Sequence, residues 1–185
     1  APLVVLALAT TGSNPCPDEL RGLAALRIEG GEPAGEFIPA PGRPLTDEAL
    51  REFLDFAGGA VIALPNPGSG WHQLSCRLRS IDRAYEPPVL SILHLCQALR
   101  SSSEEEELPE LPAEFRGAPA EEGGGGSMEG EVKALWEIIR KAFVVCREKG
   151  VASWQELGKL LPPAGALQNP EQLPSHHILL LVRNM

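Results

Sequence analysis

The apolar positions fall into short runs separated by glycine- and proline-rich breaks, and their spacing changes along the chain. Residues 3–9 (LVVLALA) form an apolar run ending at Thr10-Thr11-Gly12. A run of that length feeding a turn predicts a buried strand. Residues 20–29 (LRGLAALRIE) predict a second strand, Gly30-Gly31 a hairpin turn, and residues 35–39 (GEFIP) a third strand. Pro41-Gly42-Arg43-Pro44 predicts a loop. Thr46 is placed to N-cap a helix whose Leu50, Phe53 and Leu54 share one face, and Gly58-Gly59 ends that helix.

Residues 60–64 (AVIAL) predict another short buried strand. Pro65-Asn66-Pro67-Gly68-Ser69-Gly70 excludes regular structure, and a helix through Leu74 and Leu78 follows. Residues 89–99 predict a helix, or a strand and then a helix. The order of elements is that of a mixed α/β domain over residues 1–100.

From Ser101 to Glu122 the character changes. A serine run, the acidic run Glu104–Glu107 and several prolines leave few large apolar side chains. Such a segment cannot bury enough apolar surface to order itself, so 101–127 is expected to be disordered. It ends in Gly123-Gly124-Gly125-Gly126-Ser127, the form of an engineered flexible linker, and Met128 follows at once. Methionine occurs only twice in the chain, so a linker abutting one suggests the start of a second reading frame. Residues 128–185 are therefore expected to be a helical partner segment joined to 1–100. The rival reading is one protein whose internal loop has been replaced.

Beyond the linker, Val132, Leu135, Trp136, Ile139, Phe143 and Cys146 fall on one helical stripe. Glu129 and Glu131 at its start and Arg147 and Lys149 at its end suit the helix dipole, and Gly150 is placed to cap it. Ser153-Trp154-Gln155-Glu156 is a capping box opening a second helix, with Leu157, Leu160 and Leu161 facing inward; Pro162-Pro163 stops it. A polar, proline-containing stretch and a short apolar segment, residues 177–182 (HILLLV), complete the chain. These pieces are too small to bury a core alone, so Trp136, Ile139, Phe143, Trp154, Leu157 and Leu160 are expected to anchor them on another surface.

Charge and composition narrow the functions. With 16 basic against 25 acidic residues the net charge is −9, which leans away from nucleic acid, because phosphate contacts need a basic face. Arg77, Arg79, Arg83 and Arg100 are the residues that could supply one. The 4 cysteines make no CxxC pair. Cys76, Cys96 and Cys146 lie in apolar helical patterns and are expected to be small buried thiols of a reducing compartment. Residues 1–12 are too short to span a bilayer and lack a basic flank. An intracellular protein without membrane contact is expected. Pro65 to Gly70 lacks the Gly-x-x-x-x-Gly-Lys order of a phosphate-binding loop. His72 and His94 stand singly in helical stretches, where structural or surface roles are the ordinary ones. His176-His177 is a weak metal hint set against a solvated turn.

The ordered segments also resemble a known family. Ala7-Leu8-Ala9-Thr10-Thr11-Gly12 stands where the DEDDh 3′–5′ exonucleases, the DnaQ and three-prime repair exonuclease group, carry D-x-E-T/A-T-G at the end of their first strand. Ala40-Pro41-Gly42 is similar to a phrase of that group. Residues 60–66 (AVIALPN) resemble its LVAHN strand, with Pro65 in place of His and Asn66 retained. Residues 89–92 (VLSI) resemble its VDSI motif. The resemblance covers residues 3–100 in order. It implies an RNase H-like mixed sheet flanked by helices, with the C-terminal helical segment packed on it.

The family's chemistry needs two divalent cations held by clustered carboxylates, one to activate water and one to stabilise the leaving oxygen. Ala7 and Ala9 stand at the first two carboxylate positions, Trp71 at the next and Leu90 at that of the third motif. None offers an oxygen ligand to a hard cation. The fourth motif has no clear counterpart; Ser175-His176-His177 would be the nearest, with Leu181 at its Asp position. Loss across separate motifs implies no catalytic residue, no metal and no cofactor.

The resulting expectation is a pseudo-exonuclease that is not an enzyme and serves as a protein–protein interaction scaffold. By association with the family it would belong to a nuclear DNA repair, recombination or replication complex, captured here with a segment of its protein partner. A non-cleaving single-stranded nucleic-acid binder is the alternative, and an enzyme of another class is a third. No nucleophile–base pair or cofactor loop supports the third.

Overall fold

The computed structural model describes residues 2–10, 20–39, 45–81, 85–101, 127–161 and 167–169. The expected disorder of residues 101–127 falls almost wholly outside this set, as do Cys16, Arg83, Ser175, His176, His177 and Leu181.

Three strands open the chain: β1 (Leu3–Thr10), β2 (Leu20–Glu29) and β3 (Glu32–Phe37). They form an antiparallel meander in which Leu3 faces Ile28 and Glu29 faces Glu32. The third strand begins three residues earlier than its composition indicates. Gly30 and Gly31 both take positive φ, 61° and 92°, so they form a tight two-residue connection and pairing resumes at Glu32.

Helix α1 (Asp47–Ala57) follows, with the Thr46 hydroxyl accepting from the Ala49 N–H at 3.2 Å and Asp47 and Glu48 in its first turn. Strand β4 (Val61–Leu64) then pairs parallel with β1. Helix α2 (Ser69–Ser80) leads to β5 (Val89–Ser91), parallel to β4, and helix α3 (Ile92–Ser101) continues directly from it. Residues 89–99 are thus strand and then helix, while Ser69 and Gly70, read as part of an irregular loop, already open α2.

Beyond the linker, α4 (Met128–Glu148) and α5 (Trp154–Leu160) form as the periodicity predicts. Gly150 takes φ 77° at the end of α4, where only glycine enters the left-handed region without a Cβ penalty, and the Val151 N–H reaches back to the Cys146 carbonyl at 2.8 Å. The Ser153 capping box is complete: Ser153 Oγ accepts from the Glu156 N–H, and Glu156 Oε2 accepts from the Ser153 N–H at 2.9 Å. A last strand, β6 (Leu167–Gln168), adds antiparallel to β5 within the stretch read as polar connection.

The described strands make one mixed sheet in the order β3-β2-β1-β4-β5-β6. Alternation along the strands sends side chains to two apolar layers. Leu3, Val5, Ala7, Ala24, Leu26, Ile28, Val61, Ala63 and Leu90 pack with α3, α4 and α5. Val4, Leu6, Leu23, Ala25, Ile62, Leu64 and Val89 pack with α1 and α2 on the other face. The architecture is therefore a mixed α/β sheet covered on both sides, and 128–161 supplies much of one cover.

Candidate functional site

The sites to which the family resemblance points lie around the carboxyl end of β1. Ala7 is fully buried, in the layer covered by α4. Ala9 stands two residues further along the same strand and opposite Gly22 of β2. A Cβ on Gly22 would lie 3.4 Å from the Ala9 Cβ and 2.7 Å from the Met128 sulfur, so the first residue of α4 sits over this end of the strand pair. Leu90 is fully buried in the same layer. The register aligns it with Ala63, and Ala63 with Val5. Leu90 is thus level with a position one pleat repeat, about 7 Å, below Ala7.

Trp71 does not join them. It is 7% exposed in the layer formed by α1 and α2, so the sheet separates it from Ala7 and Leu90. The sequence places these four residues at one expected site; the structure brings Ala7, Ala9 and Leu90 to one face and Trp71 to the other. The physical reason is that α2 packs its Leu74 and Leu78 against α1's side of the sheet and carries Trp71 with them.

Methyl, isobutyl and indole groups provide no oxygen ligand to Mg²⁺ or Mn²⁺. A two-metal centre does not fit these side chains, and no hydrolytic step can be drawn through them. Among the described residues no three His, Cys, Asp or Glu side chains come together in a metal-holding group.

The expected anchors of the C-terminal helices are all at the packed face. Trp136, Ile139, Phe143, Trp154 and Leu157 are buried against the sheet and α3, and Leu160 packs half-buried at the margin. Ile138 and Ala142 join this core as well, since helical rotation over a long helix brings a wider stripe inward than the six residues read from the sequence.

Two residues of the candidate basic rim pair with acids. Arg77 lies 3.6 Å from Asp47 and Arg79 lies 4.0 Å from Glu86. On α4, Lys133 meets both Glu36 at 3.1 Å and Glu129 at 2.6 Å, and these carboxylates raise its pKa by hydrogen bonding. Beside it an open groove of about 510 Å³ lies between β3 and α4, lined among others by Glu36, Lys133, Trp136 and Arg140.

The cysteines divide. Cys96 and Cys146 are buried as expected, and burial pushes the Cys146 thiol up to about 12 and the Cys96 thiol upward in the same direction. Cys76 is instead exposed, which corrects its reading as a core thiol: α2 turns Leu74 and Leu78 to the sheet and leaves position 76 outside. Its Sγ lies 3.6 Å from His72 Nε2. The i, i+4 spacing that makes this pair was present in the sequence and went unread.

His94 Nδ1 stands 2.7 Å from Ser91 Oγ, and that oxygen also accepts from the His94 N–H at 3.4 Å. Ser91 is fully buried and caps the start of α3.

No protein-family model matches the chain. It is similar to a DNA polymerase III of PolC type from Caldanaerobacter subterraneus subsp. tengcongensis, at 24% identity over 203 aligned positions that cover 98% of the chain. The chain spans 14% of that protein's length.

Proposed function

We propose that the chain is an exonuclease-like domain of RNase H-like fold that has no catalytic activity and acts as a protein-interaction scaffold. The observation that carries this reading is the use made of the first motif. Ala7, where the resemblance expects a metal-binding carboxylate, is fully buried core beneath α4. A carboxylate there would be desolvated against apolar neighbours, so the position now serves packing.

Three further points support it. The antiparallel meander followed by two parallel strands is compatible with the RNase H-like fold. The similarity to part of a DNA polymerase III of PolC type is compatible with an exonuclease-like domain; the setting in a nuclear replication, repair or recombination complex rests on the family resemblance alone. The segment 128–161 covers, with α3, one apolar face of the sheet, as a bound partner segment tethered through Gly123–Ser127 would. Tethering by a short flexible linker holds such a segment at millimolar effective concentration.

The test of the scaffold role is reconstitution. Residues 1–122 and 128–185 are co-expressed as separate chains, with only one tagged. Co-purification in equal amounts, reduced by Trp136→Asp, is the expected outcome. Two soluble, monomeric chains indifferent to each other would overturn it.

A further inference from the structure

We propose that His72 and Cys76 form a two-ligand surface site on α2 for a borderline-soft divalent cation of the Zn²⁺ class. Four residues apart, the two side chains leave the same strip of the helix, and both are exposed to solvent. Their facing atoms, Cys76 Sγ and His72 Nε2, are 3.6 Å apart. A tetrahedral Zn²⁺ has Zn–S near 2.3 Å and Zn–N near 2.0–2.1 Å, which sets its sulfur–nitrogen edge at about 3.6 Å. A linear arrangement would need the sum of the two bonds, about 4.3–4.4 Å. The pair, in thiol–imidazole hydrogen-bond contact without a metal, stands at a spacing that matches the tetrahedral edge.

The chemistry of the donors selects the ion. A thiolate and an imidazole suit Zn²⁺ and its neighbours and do not suit Mg²⁺ or Ca²⁺, which take oxygen ligands. On binding, the Cys76 S–H bond breaks; its electron pair stays on sulfur and becomes the bond to the metal, while the proton leaves to solvent. His72 gives its Nε2 lone pair and keeps its proton on Nδ1. No oxidation or reduction occurs. No third Asp, Glu, His or Cys among the described residues completes the set, so water takes the other two positions. Of the arginines on the same helix, Arg77 has Asp47 at 3.6 Å and Arg79 has Glu86 at 4.0 Å. Cys96 and Cys146 are buried at 2% and 0% exposure and cannot compete.

The probe is Co²⁺, a spectroscopic stand-in for Zn²⁺, titrated into the reduced full-length chain. A thiolate-to-cobalt charge-transfer band that saturates at one ion per chain and is displaced by Zn²⁺ is expected. Cys76→Ser abolishes the band and Cys16→Ser retains it. His72→Ala weakens binding about tenfold or more, at least the scale that loss of an outer supporting hydrogen bond produces. Far-ultraviolet circular dichroism of the variants stays unchanged, since both positions are exposed. No band, a band that survives Cys76→Ser, or an affinity indifferent to His72→Ala would each overturn the assignment.

Discussion

The Trp154 indole meets the Phe143 ring edge-on, with centroids 6.0 Å apart and planes at 87°. This contact joins α5 to α4, and both rings are buried on the sheet's covered face. Edge-to-face pairs add to the energy of burial itself. Trp154→Ala is expected to destabilise the chain by about 3–5 kcal/mol, the range for deleting a large buried aromatic. Urea unfolding of the two proteins side by side measures it. A loss within experimental error would mean that α5 does not belong to the cooperative core.

A second prediction concerns the crowding of Gly22 against Met128. Glycine within a strand is about 0.5–1 kcal/mol less stable than alanine there, other things equal. Here the added Cβ would stand 2.7 Å from the Met128 sulfur, the flexible end of a side chain that must shift to admit it, so Gly22→Ala should realise less than that gain. In a Met128→Ala background the same change should realise the full gain. The double-mutant cycle should show a coupling of at least about 0.5 kcal/mol. Additive effects would place Met128 away from the β1–β2 end.

Arg27 ties the sheet to the end of α1. Its guanidinium donates to the Phe56 carbonyl and, at 3.5 Å, to that of Gly58, while Tyr85 donates to Ala57 at 3.1 Å. Helix α1 has no basic residue in its own last turn, so these partners satisfy carbonyls the helix leaves open. Burial holds the Tyr85 phenol above its usual pKa, against the pull of Arg27, so it stays a donor. Arg27→Met should cost about 1–3 kcal/mol. Amide exchange should quicken at residues 54–60 more than in α2.

The capping box of α5 predicts a pH dependence. Backbone N–H groups of Ala152 and Ser153 donate to Glu156, at 2.8 and 2.9 Å, and lower its pKa below the ordinary carboxylate value. A depressed folded-state pKa gives stability that is present above the unfolded value and is lost as pH falls through the folded one. Glu156→Gln keeps a capping side chain without the charge. Wild type should therefore be the more stable near neutral pH, and the difference should close below the ordinary range of a glutamate. Thermal melts at stepped pH values measure it; a constant difference would contradict the assignment.

The parts of this fold that were legible in the sequence are those with strong local physics. The apolar run at 3–9, the glycine hairpin, the Thr46 cap, the stripe from Val132 to Cys146 and the Ser153 capping box each carry their own signal. The start of β3 was missed because Glu32 and Pro33 have no strand propensity and pair only because the hairpin delivers them opposite Ile28 and Glu29. The strand at Leu167–Gln168 is too short to have a period and exists by pairing with β5. At the candidate site, that Ala7, Ala9, Trp71 and Leu90 carry no carboxylate was readable at each position. That Trp71 lies across the sheet from Ala7 was not, because which face α2 covers is decided by its packing against α1.

The absence of nuclease activity is the central claim, and a cation-dependent digestion assay tests it most directly. The 185-residue chain, purified by gel filtration, is incubated with 5′-labelled single-stranded DNA and Mn²⁺. Each column fraction is assayed against its protein content. The account predicts no shortening of the strand that follows the protein peak. Removal of 3′ nucleotides that co-elutes with the chain and stops on adding a chelator would contradict it, since Ala7, Ala9 and Leu90 offer no oxygen ligand to the metals.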